Sequence, residues 1–104
     1  MKEISVQELK ELKDKNADFQ LIDVREENEY EVAEIGGELI PMATVPDNLD
    51  KISKDKQVVV HCRSGKRSGG IVQYLESQGY DNVVNLASGI LAWSDEIDPS
   101  IPKY

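Results

Sequence analysis

Residues 58–70 read VVVHCRSGKRSGG, three valines and a histidine running into the only cysteine of the chain, Cys62. With Gln57 ahead of it, the continuous Val58–Val60 run suits a parallel strand buried on both faces over 57–62. Beyond the loop, Ile71, Val72, Tyr74 and Leu75 recur at helical spacing from Arg67 to Gln78. Gly79 stands where a helix C-terminal cap is expected. The stretch is therefore a strand, a tight turn and a helix, with a thiol at the strand's carboxyl end.

The flanking sequence repeats this alternation. Ser5 with Glu8 reads as a capping box opening a helix through Leu9 and Leu12 to about Lys15. FQLIDV (19–24) has strand propensity. EENEYEVAEI (26–35) is a short helix with Tyr30 and Val32 expected inward and Gly36 and Gly37 expected to stop it. ELIP (38–41) is a short strand ended by proline, and DNLDKI (47–52) one or two helical turns. NVVNL (82–86) is a further buried strand. SGILAWSDEI (88–97) is the last helix, with Leu91 and Trp93 as core residues, and residues 98–104 form an irregular tail. Alternating strands and helices predict an α/β domain with a mostly parallel sheet and helices on both faces. Ligands of such sheets bind beyond the carboxyl ends of the strands. Cys62 lies there.

At 104 residues, 39% of them apolar, the chain makes one domain over 1–104 with a real core. A net charge of −8 and a pI near 4.6 exclude a general binder of nucleic acid or anionic membrane. One cysteine makes no intramolecular disulfide. The opening MKEISVQELKELKDK lacks an apolar signal segment, and no apolar run approaches a bilayer span of about 20 residues. A cytoplasmic monomer that binds neither nucleic acid nor membrane is expected.

Within this acidic chain, Arg63, Lys66 and Arg67 cluster beside the thiol. Gly65 permits positive φ and Ser64 is small, so successive N–H groups can turn toward one point. The helix beginning near Arg67 adds a partial positive charge and unpaired donors. Such surroundings lower a thiol pKa. Cys62 is expected as a thiolate nucleophile that needs no base. His61, its neighbour along a strand, points to the opposite face and is expected to pack. One His and one Cys also make a protease dyad or a structural zinc site a poor fit, so no metal or cofactor is expected. The acidic run Glu26, Glu27, Glu29 and Glu31 reads as a solvated helix face.

Together with LIDVRE upstream, IGGELIP between and VVNLASGILAW downstream, the loop resembles a single-domain rhodanese, in order from about Ile4 to Trp93. That resemblance implies a five-stranded sheet wrapped by helices. It implies a six-residue active-site loop, Cys62, Arg63, Ser64, Gly65, Lys66 and Arg67, with Cys62 carrying a persulfide. The loop amides with Lys66 and Arg67 would bind a small anionic sulfur donor such as thiosulfate. Asp23, Arg25 and Ser68 would support the loop, although a buried ion pair or a solvated strand end explains Asp23 and Arg25 equally. With no second thiol, sulfur must leave to an external thiol, to cyanide, or to a sulfur-carrier protein, the last suggested by the ending GILAWSDEIDPSIPKY. The sequence departs from the family at Glu34-Ile35-Gly36-Gly37-Glu38, where many members read His-Ile-x-Gly-Ala, and at Ser88-Gly89, where many carry Gly-Gly.

Two other readings share the cradle or the fold. Cysteine phosphatases and arsenate reductases wrap an oxyanion in Cys, five residues, then Arg. Here Arg67 is the fifth residue after Cys62 and Ser68 the sixth, one residue too short. A non-catalytic module of the same fold often loses the nucleophile, which this chain retains. Sulfur transfer ranks first.

Overall fold

The computed structural model describes residues 1–104. Its elements run β1 (Glu3–Ile4), α1 (Val6–Asp14), β2 (Phe19–Asp23), α2 (Glu27–Val32), β3 (Glu38–Leu39), two 3₁₀ segments (Met42–Asp47 and Leu49–Lys51), β4 (Gln57–His61), α3 (Lys66–Ser77), β5 (Val83–Leu86) and α4 (Gly89–Glu96). The five strands form one sheet in the order β1-β5-β4-β2-β3, every pair parallel. The valine strand is central and buried on both faces because alternate residues feed two cores. Val58, Val60 and Cys62 pack with Ile71, Val72 and Leu75 of α3 and with Val45 and Ile52. Val59 joins Leu9, Leu21, Leu86, Ile90 and Trp93 on the other face, under α1 and α4. No helix is long and apolar enough to cross a membrane.

The local signals work where the residues themselves supply the bonds. Ser5 accepts from the Glu8 N–H while the Glu8 carboxylate accepts from the Ser5 N–H, closing the capping box. Gly79, at φ +92°, follows the last turn of α3. β1 has no sequence signal. It is two residues that become a strand only by pairing with Asn85 and Leu86 of β5.

Three expectations are corrected. Val32 is 53% exposed rather than inward, and Tyr30 is only half-buried. The helix ends at Val32, ahead of the two glycines, because Ala33 turns extended and offers its carbonyl to Arg25 Nη2 at 2.7 Å. Ala33 and Ile35 then take the buried places. Leu91 is half-buried, with Ile90 and Trp93 forming the inner face of α4.

The junction of β4 with α4 brings the sheet's carboxyl end and the loop together. Ile90 N–H donates to Cys62 O at 3.0 Å and Leu91 N–H to Arg63 O at 3.2 Å, so the unpaired donors of the α4 start serve the loop carbonyls. Gly89, at φ +58°, makes this approach possible. A Cβ there would lie 2.5 Å from both carbonyl oxygens. Gly89→Ala should accordingly destabilise the protein by about 2–4 kcal/mol in urea unfolding, from overpacking plus a left-handed side chain. Gly70→Ala, on the exposed side of α3 with nothing within 4 Å of the new Cβ, should instead stabilise by about 0.5–1 kcal/mol. Equal effects at the two positions would contradict the close-approach argument.

Candidate active site

Cys62 follows the last residue of β4 and is 1% exposed. Its Sγ accepts from the Gly65 N–H at 3.1 Å, and Ser68 Oγ lies 3.3 Å away. Gly65, at φ +100°, is the residue whose left-handed backbone folds the loop back over the sulfur. Asn85 Nδ2 holds that turn from below by donating to Gly65 O at 3.1 Å. Burial pushes the Cys62 thiol up. The Ser68 hydroxyl and the nearby N–H groups of Ser68, Gly65 and Ser64, of which Gly65 is the one bonded to Sγ, outweigh it, and the thiol sits below its ordinary value. The expected depression is present, but short-range donors rather than the three loop cations are its main cause.

Those cations are differently placed from one another. Arg67 makes a bidentate pair with Glu29 at 2.7 and 2.9 Å, and Arg63 donates from Nε to the main-chain oxygen of Tyr104 at 2.8 Å. Lys66 is exposed and makes no ion pair. Glu29 therefore leaves the solvated face expected of its acidic run. The turn of α2 brings its carboxylate, 15% exposed, against Arg67 and the Tyr104 hydroxyl, which donates to it at 2.8 Å. The Arg67 guanidinium lowers the Glu29 carboxyl to about 2.

Asp23 and Arg25 form a buried ion pair at 2.7 Å, with both side chains fully enclosed. Burial pulls the Arg25 guanidinium down, but the Asp23 carboxylate and the Tyr104 phenol oxygen outweigh it and keep it charged. Neither residue bonds to the 62–67 loop. They fix Ala33, Tyr104 and, through Asp23, the neighbourhood of His61, whose Nε2 lies 3.6 Å from Asp23 Oδ2. His61 is fully buried, lies against Asp23 and Gly37, and burial keeps it neutral. Its Nδ1 meets the Cys62 carbonyl at 3.4 Å.

Tyr104 and Asn85 are the site residues that sequence reasoning missed. Tyr104 lies in the tail, and its ring stacks with the guanidinium groups of Arg25 and Arg63 at 5.6 and 5.2 Å. The one signal for Asn85 is a polar residue inside the apolar run NVVNL. Two surface hollows, one of about 390 Å³ beside Phe19 and Gln20 at the start of β2 and one of about 150 Å³ along α1 beside Ile4 and Gln57, are not lined by the thiol.

This arrangement defines a class of protein: a parallel α/β domain with a buried, donor-rich thiol at the carboxyl end of its central strand. The chain belongs to the rhodanese-like domain family, whose sequence profile matches residues 5–96. YtwF of Bacillus subtilis, named as a candidate sulfurtransferase, is 39% identical over 100 residues, which cover 95% of this chain and 96% of that one. A sulfurtransferase of Allochromatium vinosum is 42% identical over 78 residues, 74% of this chain and 73% of its own. The crystal structure of a rhodanese-like domain protein from Staphylococcus aureus superposes with a TM-score of 0.85 at 37% identity, covering 100% of this chain and 99% of that one. The chain spans 30% of a chloroplastic rhodanese-like/PpiC domain protein of Arabidopsis thaliana. It spans 26% of the Mycobacterium tuberculosis MoeZ, named for adenylyltransferase and sulfurtransferase activity. These similarities support a sulfurtransferase-type function.

Two measurements check the electrostatics. The rate of Cys62 alkylation against pH should titrate below the free-thiol value of about 8.5, and a midpoint at that value would contradict the donor set. The Glu29 carboxyl is depressed in the folded protein, from 4.5 to about 2. Its stabilising contribution is present above pH 4.5 and is lost as pH falls toward 2. Glu29→Gln should cost about 1–2 kcal/mol at pH 7 and flatten the stability profile across that window.

Proposed function

We propose that the protein is a sulfurtransferase that carries a sulfane sulfur as a persulfide on Cys62. One observation supports this most: the Gly65 N–H of the six-residue loop and the hydroxyl of Ser68, the residue just after it, converge on the one sulfur atom. With thiosulfate as donor, the thiolate attacks the outer sulfur and forms the Sγ–S bond. The sulfur–sulfur bond of the donor breaks, and sulfite leaves with its electron pair. Three negative charges enter the step and three leave it. The new outer sulfur carries the anion into the space edged by the exposed Ser64 and Lys66. An external acceptor then attacks that sulfur and returns the electron pair to Sγ. A thiol, cyanide or a sulfur-carrier protein has the required nucleophilicity. The carrier option is supported by relatives whose names join adenylyltransferase and sulfurtransferase activity.

The cations divide the work. Lys66 is the loop cation open to an anionic donor, whereas Arg67, given the same task by resemblance, already faces Glu29. No paired guanidinium spans the loop as an oxyanion clamp would require, which argues against phosphoryl chemistry.

Mass spectrometry after incubation with thiosulfate should show wild-type protein heavier by one sulfur atom, and Cys62→Ser unchanged in mass and inactive while still folded. Substantial turnover by Cys62→Ser, or efficient aryl phosphate hydrolysis without a persulfide, would sink the reading. Lys66→Ala should raise the KM for thiosulfate by about fivefold, equivalent to ~1 kcal/mol, and the effect should shrink in high salt. Unchanged kinetics would return Lys66 to the solvent.

A further inference from the structure

The Cys62 sulfur rests beside a hydroxyl that has one proton to give. Ser68 Oγ lies 3.3 Å from Sγ and 2.5 Å from Asn85 Oδ1. Both neighbours can accept, and a serine hydroxyl donates once. Reversing the Asn85 amide offers no escape. Its Nδ2 already donates to Gly65 O at 3.1 Å and to Glu3 Oε2 at 3.0 Å, so a reversed group would set its oxygen against two acceptors. Asn85 is 1% exposed and sits on β5, the strand beside β4, where no solvent substitutes for a lost bond. Nothing in sulfur transfer as described above uses it.

We propose that Asn85 is a positioning residue whose Oδ1 accepts the Ser68 hydrogen bond whenever Cys62 Sγ is uncharged and gives it up when Sγ is a thiolate. The inference deepens the persulfide reading and rests on it. In the thiol form, the S–H donates to Ser68 Oγ, and the Ser68 hydroxyl donates to Asn85 Oδ1. Once the thiol proton has left to solvent, the hydroxyl turns and donates to the thiolate, which leaves Asn85 Oδ1 without a donor. When the thiolate takes a sulfur, the charge moves to the outer atom and Sγ becomes a neutral, two-bonded sulfur. The hydroxyl then returns to Asn85. Attack by the acceptor on the outer sulfur sends the electron pair back to Sγ and the hydroxyl back with it. Ser68 keeps its proton throughout, so the device is a rotation and requires no co-reactant.

Asn85 therefore competes with the thiolate for one hydrogen bond, and it favours the thiol and the persulfide over the free thiolate. The other groups facing the sulfur stay the same in either position of the hydroxyl. Arg67 on α3 carries a full charge that acts on Cys62, Arg63 and Lys66 lie in the same loop, His61 is neutral against the Cys62 carbonyl, and Glu3 on β1 lies behind Asn85.

The test is a double-mutant cycle on the full chain, read as the pH midpoint of iodoacetamide alkylation. Asn85→Ala should lower the midpoint by about half a unit to one unit, the worth of one hydrogen bond. Ser68→Ala should raise it. Adding Asn85→Ala to Ser68→Ala should move it no further, because the contested proton is gone. A rise in Asn85→Ala alone, or the same fall in both backgrounds, overturns the proposal and leaves Asn85 as support for Gly65. Should Asn85→Ala fail to fold by circular dichroism, Asn85→Asp keeps an acceptor toward Ser68. Its midpoint should then rise more with Ser68 present than in Ser68→Ala, and equal rises overturn the idea. Alkylation needs no sulfur donor. A wild type that never gains sulfur from thiosulfate would defeat the persulfide reading, while the cycle would still decide the competition for the proton.

Discussion

The contact between the start of α4 and the carbonyls of Cys62 and Arg63 is the constraint on which the site depends. A loop whose N–H groups converge on one sulfur must send its carbonyl oxygens the other way, and buried carbonyls need donors. The first N–H groups of α4 are donors without partners in their own helix. Joining the two sets satisfies both, with Ile90 and Leu91 bonding to the loop at 3.0 and 3.2 Å. The geometry admits no Cβ at residue 89. Ser88, before it, is also left-handed at φ +63°, an uncommon place for a residue with a side chain. The family pattern of two glycines thus has a backbone reason, and this chain keeps the second glycine, the one that meets the carbonyls.

A second requirement is that charge be balanced around the thiol without filling its cradle. Asp23, Arg25, Tyr104, Glu29 and Arg67 form a continuous chain of hydrogen bonds along one side of the loop. Two carboxylates answer two guanidinium groups in it. Paired in this way, Arg25 stays buried and charged, at a depth where an unpaired cation would be costly. The same network draws Arg67 toward α2 and leaves Lys66 open. The effective charge at the loop mouth is therefore lower than a count of Arg63, Lys66 and Arg67 suggests.

These two arrangements explain which parts of the structure were legible beforehand. The valine run, the capping box at Ser5 and the glycines at 65 and 79 act through their own backbone or through neighbours a few residues away. They gave the strand, the helices and the turn nearly at their observed bounds. The features that escaped depend on partners distant in the chain. The early end of α2 depends on Arg25 reaching Ala33, eight residues away. The inward turn of Glu29 depends on Arg67, 38 residues away, and β1 exists only beside β5. No periodicity records such contacts.

Sequence by itself determined the alternating α/β order, the central buried strand and the thiol at its end, because hydrophobic pattern and glycine placement act locally. Resemblance added the six-residue loop and the rhodanese-like fold. Only the tertiary structure decided how the thiol is held: by the hydroxyl of Ser68 and by loop amides, with Asn85 contesting the one hydroxyl proton and Glu29 occupying Arg67. The physical reason is range. A hydrogen bond is settled within a few tenths of an ångström, and the parallel crossovers bring Glu3, Cys62, Ser68 and Asn85 to that distance from opposite ends of the chain.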